Sequence, residues 1–146
     1  SEISNTSELP QTAWQNAKAL LETAFADEVT FKNWFGQFAT NLDLCAEQCL
    51  PDILEGANEA EFLAELDACE ALQRHPLCKI AYQDDDGIKL YINGATWKIE
   101  GVDADLIKHV ANNRALDCEP LQKYLRKPEN NTFLFELWQL QWLQFV

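Results

Sequence analysis

Between Ile88 and Ile99 apolar and polar side chains alternate, and the alternation is broken once, at Asn93-Gly94. Ile88, Leu90 and Ile92 alternate with Lys89 and Tyr91, and Trp97 and Ile99 with Thr96 and Lys98. An Asn-Gly pair accepts the positive φ angles of a two-residue type I′ turn, so this stretch predicts a β-hairpin. Just upstream, Cys78, Ile80 and Tyr82 alternate with Lys79 and Ala81, and Asp84-Asp85-Asp86-Gly87 supplies a turn. The pattern predicts a small antiparallel sheet from about 77–82, 88–92 and 95–99.

The flanks read as helix. Trp14, Ala17, Leu20, Leu21, Ala24 and Phe25 recur at helical spacing, with Pro10 placed for a first turn. Asp27 is the expected N-cap of a second helix carrying Phe31, Trp34, Phe35, Phe38 and Leu42 as one apolar stripe. A short third segment ends near Pro51, and Glu55 to Asn58 reads as a connection. Asn58 and Glu61 have capping-box spacing, so a helix through Phe62, Leu66 and Cys69 is expected, ended by Pro76. Asp103 is the expected cap of a helix through Leu106, Ile107 and Val110. Another is expected over residues 118–127, and the tail from Phe133 to Val146 is apolar on nearly every side. The expected class is α+β and mostly helical, with a small helical region over 1–56 and a winged-helix-like domain over 57–146.

The charge is unevenly spread. Residues 1–73 hold Lys18 and Lys32 against 14 acids, a net −12; residues 74–146 hold nine basic residues against ten acids, a net −1. Nucleic-acid binding draws most of its affinity from cation–phosphate contacts, which such a block opposes. It favours a basic polypeptide instead. Lys123, Arg126 and Lys127 form a basic cluster, but three cations are few beside the roughly 6–10 phosphate contacts of a strong binder. A DNA partner is not expected. Nor is a membrane one, because the apolar runs are short and interrupted. Five widely spaced cysteines do not form a disulfide framework, which predicts a reducing, cytoplasmic setting. The absence of methionine fits a chain cut from a longer protein.

Catalytic and metal chemistry find little support. Cys45 and Cys49 share a helix face, and Cys69, His75 and Cys78 lie close in sequence, but the second group is too irregular for a structural zinc site. Buried cysteines acting as small hydrophobes explain them better. His75 and His109 sit in no recognisable motif, and Asp84-Asp85-Asp86 lacks the twelve-residue loop of a calcium site. The five glycines are too scattered to cradle phosphate. No catalytic, cofactor-binding or metal-binding residue is expected in this chain. The stripe Phe31/Trp34/Phe35/Phe38 reads either as core or as an interface, since three short helices bury large aromatics poorly.

Phe31-Lys-Asn-Trp-Phe-Gly-Gln-Phe-Ala-Thr-Asn41 resembles the helix that follows the catalytic cupin in bacterial ribosomal oxygenases, which are JmjC-type Fe(II)- and 2-oxoglutarate-dependent proteins. Leu90-Tyr-Ile-Asn-Gly94, followed by short helices and an aromatic tail, resembles the winged helix at the C-terminus of the same family. The resemblance covers nearly the whole chain, but only the part of the family downstream of the oxygenase domain. That domain carries a His-x-(Asp/Glu)…His iron triad, whereas here Pro76-Leu77 follows His75 and Val110-Ala111 follows His109. The resemblance therefore implies a non-catalytic dimerisation and docking region. Its parent enzyme would use Fe(II) and 2-oxoglutarate to hydroxylate an arginine of a basic large-subunit ribosomal protein. A homodimer is expected, with Phe31, Trp34, Phe35 and Phe38 at or just behind the interface. The competing reading is a free-standing acidic winged-helix adaptor or regulator.

Overall fold

In the computed structural model, which describes residues 7–146, Asn93 and Gly94 have φ angles of 49° and 83°. Both being positive, they form the type I′ turn that the dipeptide demands. Six strands make two antiparallel sheets among the described residues: β1 (Ala71–Arg74), β2 (Ile80–Asp84), β3 (Ile88–Ile92), β4 (Ala95–Trp97), β5 (Ala115–Asp117) and β6 (Leu143–Phe145). The sheet β2-β3-β4 is the expected one, shifted slightly, with Ile80 opposite Ile92 and Leu90 opposite both Tyr82 and Trp97. The sheet β5-β1-β6 has no counterpart in the sequence reading. Its centre is Leu72, fully buried and paired with Leu116 on one side and Phe145 on the other.

The helices are α1 (Gln11–Phe25), α2 (Glu28–Thr40), α3 (Leu44–Gln48), α4 (Glu59–Ala68), α5 (Ala104–Asn112), α6 (Cys118–Leu121) and α7 (Pro128–Gln139). Side-chain caps place the starts of three of them. Asp27 accepts from the Val29 amide and the Thr30 hydroxyl, Asp43 from the Ala46 amide, and Asn58 from the Glu61 amide at 2.8 Å.

Two expectations are corrected. The fourth helix does not run to Pro76: Cys69 turns extended at ψ 156°, and the next residues are recruited as β1, where Leu72 is buried and both strand edges are hydrogen-bonded. The helix over 118–127 is α6 followed by a 3₁₀ turn at Gln122–Tyr124. Pro128 holds Lys127 out of the helical region, and the Tyr124 carbonyl is taken by the Asn130 side chain at 3.0 Å. The last helix, α7, stops at Gln139. Gln141 then adopts φ 58°, and the chain leaves as β6.

The chain packs as two units, one reaching Phe35 and the other starting at Gly36. In the first, Phe25 of α1 meets Phe31 edge to face at 5.4 Å and Trp34 at a tilt at 5.0 Å, and no residue of α1 is buried. In the second, one hydrophobic cluster runs from Phe62 to Leu143. It joins Phe62 and Leu66 of α4, Leu90 and Ile92 of β3, Leu106 and Ile107 of α5, and Leu134 and Leu137 of α7. Leu54 and Asp52 are bound to the end of this body, through the Leu54 amide on the Gln139 carbonyl and the Gln141 side chain on the Asp52 carbonyl.

Candidate interaction surface

The Phe-Lys-Asn-Trp-Phe-Gly helix has two distinct parts. Its aromatics are left largely in water: Phe31 and Trp34 are 41% exposed, Phe35 52% and Phe38 63%. Phe31 stacks on Phe35 at 6.4 Å and on Trp34 at 5.9 Å, so the rings within the first unit form a pre-packed apolar face. Trp14, Leu20 and Leu21 on α1 are also more than half exposed. Soluble chains rarely leave so much contiguous aromatic surface uncovered.

The last turn of α2 is anchored. The buried Thr40 hydroxyl donates back to the Gly36 carbonyl at 3.0 Å and accepts the Gly94 amide at 3.0 Å, which ties this turn to the tip of the hairpin. The Gln37 side chain donates to the Thr96 hydroxyl, and the Lys79 ammonium to the Asn41 carbonyl. The hairpin tip is thus engaged by the chain's own helix. Neither Thr40 nor Gly36 was singled out from the sequence, although both lie inside the motif that carries the family resemblance.

The basic cluster at the end of the 3₁₀ turn is partly used internally. The Lys127 ammonium donates to Asp103 Oδ1 at 3.0 Å, and the Lys123 ammonium lies 5.0 Å over the Tyr124 ring. Asp103 stands at the start of α5, yet its carboxylate does not reach that helix's amides. It accepts instead from Asn130 and Lys127, which hold its pKa below the ordinary value, Asn130 most strongly.

The residues weighed for chemistry are dispersed. His75 follows β1 instead of a helix; its Nδ1 accepts the Leu77 amide at 3.0 Å, which fixes a turn. His109 lies on α5 beside Asn113. Cys78 is buried among apolar groups, and burial pushes its thiol up to about 12, so it remains a neutral hydrophobe. Burial raises Cys118 in the same direction. Cys45 and Cys49 are exposed. Among the described residues, no three His, Cys, Asp or Glu side chains converge on a point, and no helix is long and apolar enough to cross a membrane.

The fold has solved counterparts. Escherichia coli YcfD has a TM-score of 0.65 at 19% identity, with 100% of this chain covered and 37% of the YcfD chain. Another structure, described as the E. coli ribosomal oxygenase YcfD, gives 0.68 at 18% identity, covering 100% and 38%. One of YcfD in complex with cobalt and 2-oxoglutarate gives 0.67 at 18%, covering 99% and 38%. The chain thus spans well under half the length of the solved proteins it resembles. Its own residues do not fit a metal centre of that kind, since it has no His-x-Asp or His-x-Glu and no convergent ligands among the described residues. No curated protein sequence is matched. The family described as ROXA-like winged helix matches residues 19–144, most of the chain. This chain belongs to the ROXA-like winged-helix family.

Proposed function

We propose that this chain is the C-terminal, non-catalytic region of a JmjC-type Fe(II)- and 2-oxoglutarate-dependent oxygenase that hydroxylates an arginine of a large-subunit ribosomal protein. Residues 1–56 pair two copies of the protein, and residues 57–146 dock protein partners. Iron and 2-oxoglutarate belong to the catalytic part, outside this sequence. The observation that carries the pairing is the exposed stripe Phe31/Trp34/Phe35/Phe38. Aromatic side chains bury roughly 150–250 Å² each, and a two-fold axis removes the whole patch from water in both copies. Two −12 halves repel each other, so the contact is apolar with acids at its rim, where salt screens them. A basic, cytoplasmic ribosomal protein suits the acidic charge, whereas duplex DNA does not. The hairpin tip, held by Thr40, is a poor fit for a DNA groove.

Sedimentation of the 146-residue chain at several salt concentrations tests the pairing. A dimer that holds or tightens as salt rises is expected; a monomer at tens of micromolar throughout would refute it. The upstream reading frame tests the parentage, which requires a cupin with a His-x-Asp…His triad.

A further inference from the structure

Glu61, Ala64, Glu65 and Ala68 recur along α4 at the spacing of one helix face, and all four are exposed. Trp138 of α7 borders that face, and the five side chains line an open groove. The alanine methyls make a low, apolar floor. Trp138 forms the wall, half-buried and held by Phe62 at 5.3 Å, Phe135 at 5.9 Å and Phe145 at 6.1 Å. Its ring is therefore fixed before anything binds, which lowers the ordering cost of binding. The helix has no cation: its ionisable residues are Glu59, Glu61, Glu65 and Asp67, with Glu70 just beyond. Among the described residues, Glu61 and Glu65 are in no ion pair.

We infer that this groove docks an arginine-rich segment of a basic polypeptide. An arginine stem lies well on methyl groups. Its planar guanidinium stacks on an indole face, the strongest of the aromatic partners for a cation. The same group then offers paired N–H donors to a carboxylate, and Glu61 and Glu65 stand one turn apart on the same face. Lysine satisfies the charge but has no plane to stack, and nucleic acid is repelled. The inference rests on the proposed function only in that a basic substrate would supply such a segment.

Titration of the ¹⁵N-labelled chain with a hexa-arginine peptide tests it. Saturable shifts are expected at the Ala64 and Ala68 amides and the Trp138 indole N–H. The exposed pair Glu61→Gln/Glu65→Gln should weaken binding about fivefold, whereas Asp105→Asn/Glu119→Gln, which removes the same charge elsewhere, should change it less than about twofold. Hexa-lysine should bind more weakly than hexa-arginine. Shifts elsewhere only, or equal loss in both double variants, would overturn the docking site; equal binding of hexa-lysine would overturn the arginine assignment. A dimer whose groove stays silent refutes this inference alone, and a monomer whose groove responds refutes the pairing alone.

Discussion

Gly36 lies face-on against the ring of Tyr91, so close that a β-carbon at position 36 would overlap the ring atoms. Tyr91 of β3 is fully buried, and its hydroxyl donates to the Gln83 side chain, so the ring has little freedom to retreat. A glycine in the middle of a helix costs about 0.5–1 kcal/mol relative to alanine. Here that cost is the condition for the last turn of α2 to approach the hairpin at all.

Gly36→Ala is expected to destabilise the protein by roughly 1–2 kcal/mol, because overpacking of about 1–3 kcal/mol outweighs the gain in helix propensity. Urea unfolding measures it. In a Tyr91→Leu background the same change should become neutral or stabilising, and this non-additivity identifies the ring as the cause.

Asn130 is a fully buried joint. Its carbonyl accepts the Asp103 amide at 2.9 Å, and its amide donates to Asp103 Oδ2 and the Tyr124 carbonyl, both at 3.0 Å. Asn130→Ala removes three bonds and strands partly buried partners, and should cost about 2–4 kcal/mol by thermal or urea unfolding. A loss below about 0.5 kcal/mol would mean that solvent replaces the network.

Stability should fall in alkali. The Cys78 thiol is held at about 12, above its unfolded value of 9.0, so the folded state keeps a proton that the unfolded chain has lost. Its contribution is intact below pH 9 and is lost as pH rises towards 12, at up to roughly 1.4 kcal/mol per pH unit. Buried Tyr91 is shifted the same way, chiefly by desolvation, and adds to the loss above pH 10. Unfolding free energies from pH 8 to 11 should slope downward, and Cys78→Ala should flatten the slope. An unchanged slope would assign it to other groups.

The aromatic face should separate association from folding. Phe35→Glu with Phe38→Glu places charge on two of its most exposed rings. Sedimentation should then give a monomer, while far-ultraviolet circular dichroism stays unchanged. A dimer surviving both substitutions would move the interface elsewhere.

The hairpin and the Asn58 cap were legible because each is specified within a few residues: Asn-Gly fixes the turn, and an Asn side chain reaches the Glu61 amide. The second sheet was not legible. Its strands are three or four residues long and come from distant parts of the chain, too short for alternation to declare itself. Phe62, Leu66 and Cys69 keep helical spacing beyond the helix's true end, and no glycine or proline marks the break at Glu70. The aromatic stripe was visible as a stripe, but periodicity alone does not distinguish a core face from an exposed one. The α4 groove was invisible, because it depends on Trp138 arriving beside alanines far away in sequence.

In a two-residue hairpin turn the second turn amide has no place in the strand ladder and ordinarily faces water. Here that amide belongs to Gly94 and is held by Thr40. Its hydrogen exchange therefore reports the detachment of α2's last turn, independently of whether the strands separate. Exchange of Gly94 ahead of Leu90 or Ile92 would describe a molecule in which the last turn of α2 opens while the strands stay paired. The free-energy gap between these amides measures how firmly that turn is held.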